Sequence, residues 1–489
     1  MRTGPEGHMR APLRQAALTV LALLTLALTG CAGSGGTRVR SEAGPGLGFL
    51  TATPAMVRPL RPEVRVTPIL TAGDTLFSNN PGEPPFIFPG QAGGLGARDR
   101  GDGSAELFVS HEDAWLDHIE GAVVTRLLLD LRNAGVSSAG YILRPERGYM
   151  GFTHAALLDS RVGFLRPTFF VNERGHRLRS PLVAAIDVGT QQIQDLPWLG
   201  AMRHKSTIGV PVAGKTLLVL TGGFANPALD QIYMYLANSD SDVLTGRGQL
   251  YVLCADPTDR AGETQSAASM RRGIPIRGTF APVNDAQVRS PATLAPLVQA
   301  LGCLNFARLE GIAVDRERPN GFYFTDRLGF GTASGIQTTA GGGRLYHVTF
   351  DPFDPTKVQA LEVLLDAGDG DDLYRPSSID TDEQSVMIQE YPGAHGIHAS
   401  RILRYDVRTR RLEPLAECVE RDTRGRLVPN GVGGEWETSG ITNVSDFLGD
   451  DTWLFTVQAH TVQIIQDARH VGEAGQLLLL RGARNPRRQ

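Results

Sequence analysis

Residues 343–350 read GRLYHVTF, and the same form returns as GQLYVL at 248–253 and SRILRYDV at 400–407. Each opens on a small or polar residue. Each then runs through leucine, β-branched and aromatic side chains, the make-up of a short strand. Comparable runs lie at 106–110, 168–171, 216–220, 321–324, 386–389, 453–457 and 476–480. The 57 glycines and 30 prolines are scattered between them, which favours many turns and strands over long helices. Helices are expected only at 122–131 and, within an insertion, at 296–301.

The unit that recurs is a strand ending in an acidic or polar residue, a loop, and a further strand. Its spacing of about 60–80 residues suits a four-stranded blade. An all-β fold of the β-propeller type, with loop insertions, is therefore expected over residues 64–489 as one domain. A pair of β-sandwiches is the alternative. In a propeller the innermost strands line a central channel, so residues distant in sequence meet at one end of it.

Five glutamates sit beside such runs: Glu112 in VSHE, Glu173 in FFVNE, Glu310 in RLEG, Glu390 in MIQE and Glu437 in WETSG. A carboxylate at the edge of a buried strand is costly unless a cation lies against it. Five in comparable settings point to a shared metal centre; solvated loop positions or arginine partners are the plainer reading. Hard cations such as Ca²⁺ take several carboxylate oxygens.

The N-terminus reads as an address. Arg2, Arg10 and Arg14 precede an apolar run at 16–28, and Leu28-Thr29-Gly30-Cys31 is similar to the lipobox of bacterial lipoproteins. Residues 1–31 are expected to be a lipoprotein signal with Cys31 as the lipidation site, and residues 32–63 a flexible tether. The apolar run is too short to span a bilayer, which takes about 20 residues, so membrane attachment is expected through lipid alone. Ala32 favours the outer membrane, facing the periplasm. In that oxidising space Cys254, Cys303 and Cys418 allow one disulfide, Cys254–Cys303 being the most plausible pairing, with buried free thiols as the alternative. A net charge of −4 and the absence of a long basic stripe speak against nucleic acid.

Between about residues 93 and 480 the chain resembles the PhoX-type alkaline phosphatases. The segments that carry this are GLGARDRGDG with FVSHE, LEGIAVDRERPNGFYFTD, GGGRLYHVTFD, IDTDEQSVMIQE, HASRILRYDV, and ETSGI followed by TWLFTVQAH and GQLLLL. The resemblance implies a six-bladed propeller whose channel binds calcium, with iron (Fe³⁺) as a second metal, and which hydrolyses phosphate monoesters outside the cytoplasm. It assigns Glu112, Glu173, Glu310, Glu390 and Glu437 as metal ligands. Arg375 in YRPSSID and His460 in VQAH become the candidates for contacting an anionic substrate. A monomer acting on a small-molecule phosphate ester is the implied form.

The chain also departs from that pattern. Gly93, Lys205, Gly311 and Tyr391 stand where relatives carry acidic residues, and the segment THAALLDSRVGF before Glu173 lacks the iron-binding cysteine. An added ammonium and lost carboxylates lower affinity for multivalent cations. A non-catalytic envelope propeller that binds a ligand or acts as a scaffold is thus the second expectation, and a calcium-dependent esterase or lactonase the third.

Other signals are plainer. His111 is a ligand or a structural histidine, and His395 and His398 are loop histidines. The acidic runs at 366–372 and 238–242 depart from the EF-hand order and read as solvated turns. The glycines at 341–343 precede a strand rather than a helix, so they are no phosphate-cradling loop, and G-x-S-x-G is absent.

Overall fold

The computed structural model describes residues 47–76, 84–116, 119–212, 214–222, 230–258, 266–284, 288, 290–327, 342–391, 398–421, 426, 435–467 and 470–484. The chain divides into two compact units, Met1–Gly35 and Gly36–Gln489. The first, with Cys31, lies outside the described residues. Among the described residues no helix is long and apolar enough to cross a membrane.

Strands follow one another as antiparallel meanders. The first holds Ala92–Asp99, Ser104–Leu116, Ile119–Asp130 and Val136–Leu143, and the second Tyr149–Leu158, Thr168–His176, Val183–Asp187 and Ile193–Asp195. A nine-stranded sheet contains two more. One is His204–Val212, Lys215–Gly222, Ile232–Ala237 and Gln249–Ala255; the other is Leu309–Val314, Gly321–Asp326, Arg344–Phe350 and Lys357–Asp366. Ile276–Val283 pairs with the outer strand of each and joins them. Pro376–Thr381, Ser385–Glu390, Arg401–Asp406 and Arg411–Cys418 make the next meander, and Glu437–Asn443, Thr452–Asp467 and His470–Arg481 the last.

That last meander takes its outer strand from the other end of the body: Arg65–Thr71 pairs antiparallel with His470–Arg481. The strands beginning at Ala92, Tyr149, His204, Leu309, Pro376 and Glu437 contact one another in cyclic order, the last against the first. The fold is a β-propeller with these strands around its channel, as the strand spacing implied.

Each sheet buries both faces against its neighbours. Phe108 of the first meander meets Phe169 of the second at 5.6 Å between ring centroids, and Phe324 stacks on Tyr346 at 4.7 Å with Phe306 edge-on to both. Two-sided burial explains one departure. Of residues 122–131, expected as a helix, all but Leu131 belong to the strand Ile119–Asp130, bonded on both sides. Val123, Val124, Leu127 and Leu129 are all fully buried, so the polar alternation that marks a half-buried strand is missing, and a short apolar run of this kind reads equally as helix or strand. The insertion helix is present as Pro291–Ala300.

The body also begins earlier than residue 64. Phe49 exchanges backbone hydrogen bonds with Val136, and Val57–Pro59 pairs with the Arg411–Cys418 strand. The described part of the expected tether is thus bonded into the sheets. Cys254 and Cys303 form a disulfide, and Cys418 is buried and free.

Buried threonines fix the ends of the inner strands. Thr153 Oγ1 donates to the Lys205 carbonyl at 2.9 Å, Thr221 Oγ1 to that of Glu310 at 3.1 Å, and Thr325 Oγ1 to that of Ser377 at 2.8 Å. Each bond ties one meander to the next at the level of the charged residues described below.

Candidate functional site

The sheets carry all five glutamates to the same end of the meanders. Glu310 and Glu437 lie at the starts of inner strands, and Glu112, Glu173 and Glu390 lie on second strands near the points where these pair with the beginnings of the inner ones. Three of them share one electrostatic neighbourhood, and two are held apart.

Glu310 is fully buried and faces three cations. Lys205 Nζ lies 2.9 Å from Oε2, while Arg327 Nε and Arg308 Nε lie 3.1 and 3.3 Å from Oε1. Burial pushes its carboxyl up, but Arg327, Lys205 and Arg308 together outweigh burial and hold it at about 2. Arg327 is itself 4% exposed and stacks on the Tyr391 ring at 4.1 Å, with the Arg375 guanidinium 5.5 Å from the same ring. Arg375 immediately precedes its inner strand with a left-handed φ of 45°, and its carbonyl accepts from the Tyr391 N–H.

Glu112 accepts from Arg174 Nη1 at 3.0 Å, and the same guanidinium pairs with Asp113. Burial raises its carboxyl pKa; Lys205 and Arg174 oppose the rise, and the Glu437 and Asp113 carboxylates add to it. Glu437 is 3.9 Å from His460 Nε2, and His460 Nδ1 is hydrogen-bonded at 2.6 Å to Glu473, which also accepts from Gln91. Burial disfavours the imidazolium, but Glu437 and Glu473 prevail and lift His460 to about 10. At neutral pH it is a cation rather than a base.

Glu173 and Glu390 stand outside this group. Glu173 accepts from Arg179 at 2.6 Å and from the Leu182 N–H at 2.8 Å; burial outweighs both and raises it to about 7. Glu390 is held bidentately by Arg401, at 2.9 and 2.8 Å, and accepts from the Tyr374 N–H at 2.9 Å. Arg401 also bridges to Asp372, which ties part of the acidic run at 366–372 to this pair.

A calcium cluster does not fit this donor set. Every one of the five carboxylates has a cation of the chain against it, and an ammonium lies on Glu310 itself. Among the described residues no group of three or more His, Cys, Asp or Glu side chains is placed to hold a metal ion. Glycine at 93 and at 311 is required by packing. A Cβ on Gly93 would stand 2.7 Å from the Thr153 carbonyl oxygen, and one on Gly311 2.4 Å from that of Ser377, so neither position has room for a carboxylate.

His111 is structural: buried, bonded through Nδ1 to the Gly90 carbonyl at 2.9 Å and through Nε2 to Thr125 at 3.1 Å, and driven to about 4 by burial. His398 lies 3.7 Å from Glu390, and His395 is outside the described residues. In the run at 238–242, Ser239 caps a short helix and Asp242 pairs with Arg247.

Sequence reasoning raised arginine partners as the plainer alternative, and the structure bears that out, but it named none of the arginines. Arg308, two residues before Glu310 and so on the same side of an extended chain, was open to detection. Arg174, Arg179 and Arg327 reach their carboxylates from other strands or loops, and nothing local announces them.

No protein-family model matches the chain, and no curated protein sequence is significantly similar to it. Among solved structures it is similar to Pseudomonas fluorescens PhoX in complex with vanadate, a transition state analogue. The TM-score there is 0.57 at 12% identity, over 90% of this chain and 100% of that one. It is also similar to the β-propeller domain of the Trilobed protease from Pyrococcus furiosus, with a TM-score of 0.34 at 9% identity over 79% and 97% of the two chains. At 12% identity the likeness to PhoX bears on the fold alone.

Proposed function

We propose that the charged end of the channel is a seat for a phosphate-like oxyanion and takes a small-molecule phosphate ester, with the chain's own cations supplying the positive charge. The observation that carries this is the crowding of Lys205, Arg308 and Arg327 on the single buried carboxylate of Glu310, with Arg375 beyond Tyr391. Three cations meet there; the neighbouring Asp230 and Asp326 carboxyls are pushed up by burial, to about 9 and about 6, and guanidiniums match the oxygens of a phosphate with paired N–H donors. PhoX, whose fold this chain shares, is known with vanadate, a phosphate-like oxyanion. Arg375 contacts the anion in this reading, and His460⁺ orients Glu437 rather than moving protons. The phosphate-ester chemistry that the sequence resemblance implied is kept, and its calcium and iron are not.

Hydrolysis of the bound ester is the second reading. It is favoured by Glu112, a carboxyl made easier to protonate by burial next to the cations that would hold the phosphate. The address belongs to the same proposal: Cys31 is acylated and the propeller hangs in the periplasm from the outer membrane. The Cys254–Cys303 disulfide suits that oxidising space. Incorporation of labelled palmitate, abolished in Cys31→Ser, tests the anchor.

Calorimetry with inorganic phosphate and orthovanadate tests the site. Binding that survives EDTA and weakens at least tenfold in Arg327→Ala or Arg375→Ala is expected. No binding, or binding lost to EDTA and restored by Ca²⁺, overturns the proposal. Turnover of p-nitrophenyl phosphate under the same conditions separates enzyme from binder.

A further inference from the structure

We infer that the oxyanion seat is one half of a two-chamber site, and that the channel beyond it receives the uncharged organic group of the ester. This rests on the reading just given and adds to it the class of ligand. A cavity of about 540 Å³ occupies the channel, lined by successive stretches of all six inner strands. That volume is in the range that encloses a small organic ligand. The charged residues precede its lining on the same strands: Lys205 adjoins Ser206, and Glu310 stands two residues before Ile312. At about 3.3 Å per residue, the two chambers meet within roughly 10 Å along the axis.

The wall of the cavity is mixed, with Ala155, Ile208, Ile312, Ile379 and Ile441 set among Ser206, Thr207, Ser378 and Thr442. One side-chain pair narrows the channel between the chambers. His154 and Ser378, 224 residues apart and on the second and fifth inner strands of the ring, are hydrogen-bonded at 3.2 Å between Nδ1 and Oγ. Both line the cavity, and His154 also feels Lys205 and Glu310 at the charged end. Burial first, and Lys205 second, drive His154 down to about 3, so it offers an uncharged ring to whatever passes it.

The far end of the cavity has the opposite polarity to the seat. Five carboxylates border it, Asp159, Asp315, Asp380, Glu383 and Asp446, against four arginines: Arg161 and Arg316 in the lining, and Arg318 and Arg484 paired with Asp315 and Glu383. A net negative border repels a second anionic group. The arrangement therefore selects a phosphate monoester whose organic part is neutral and of aryl or single-sugar size, and discriminates against bisphosphates.

The test is calorimetry with three non-hydrolysable or inert probes: inorganic phosphate, phenylphosphonate and 1,4-benzenediphosphonate. Phenylphosphonate is expected to bind at least tenfold more tightly than phosphate, and the diphosphonate at least tenfold more weakly than phenylphosphonate. Ala155→Phe and, separately, Ile441→Phe fill the cavity. Both are expected to erase the phenyl advantage while phosphate binding stays within twofold, which also reports that the variants are folded. Equal affinities for phosphate and phenylphosphonate, unmoved by either variant, overturn the second chamber and leave the oxyanion seat standing. Absence of phosphate binding to the unaltered protein overturns both.

Discussion

Glu310 shows how a fully buried carboxylate is tolerated in an apolar fold. Three cations approach it from the residue just before its own strand, from the loop after the next strand and from the preceding meander. Their joint attraction exceeds the cost of its burial. Neutralising the carboxylate while keeping its shape reverses that balance and leaves Lys205, Arg308 and Arg327 repelling one another. Glu310→Gln is therefore expected to lower stability by about 3–5 kcal/mol, the range for breaking a buried pair on one side, as read from urea unfolding midpoints. His460 makes the opposite case, a base stabilised in its charged form. Its folded value of about 10 lies above the ordinary 6.5. Its contribution is thus complete below pH 6.5 and is lost as pH rises through about 10. Thermal melts across that window should fall more steeply for the unaltered protein than for His460→Gln; parallel curves would remove His460 from the charged state assigned here.

At the scale of elements, two covalent or topological ties hold the sheets. The Cys254–Cys303 disulfide closes a loop with a sequence separation of 49 that includes the Pro291–Ala300 helix. By the chain-entropy relation such a loop is worth about 4 kcal/mol, so replacing both cysteines by serine should shift the denaturant midpoint accordingly and make the melt insensitive to reductant. The second tie is the N-terminal segment, which gives Val57–Pro59 to one meander and Arg65–Thr71 to the next. A chain starting at Ala72 lacks both strands and exposes the edge of His470–Arg481. Rapid trypsin cleavage of that shortened chain, against resistance of the intact body, is the expected outcome.

For the whole molecule, stability should be set by internal pairing and indifferent to chelators. EDTA is expected to leave Tm within about 1 °C, since a ligand that binds only the folded state is required for a larger shift. Acid should act through three histidines buried in the neutral form: His111 and His204 held near 4, and His154 near 3. Their folded values lie below the ordinary 6.5, so the stabilisation they give is present above pH 6.5 and decreases as pH falls towards 4 and 3. Imidazole resonances that stay neutral down to pH 5 in the folded protein, with Tm declining over the same interval, would bear this out.

The sequence by itself determined the strands and their order, because β-branched and aromatic runs between turn clusters announce themselves within a few residues. GRLYHVTF is a strand over all but its first residue. It also pointed to the glutamates at strand ends, and to Lys205 as an odd cation among them. It misjudged 122–131 and the described part of the expected tether, where two-sided burial and pairing with distant strands replace the local pattern. What only the tertiary structure decided is what each carboxylate faces. Arg174 lies 62 residues from Glu112, and Arg179 reaches Glu173 through a loop. Charge pairing depends on distance in space, and ring closure sets that distance across chain separations that no local reading spans.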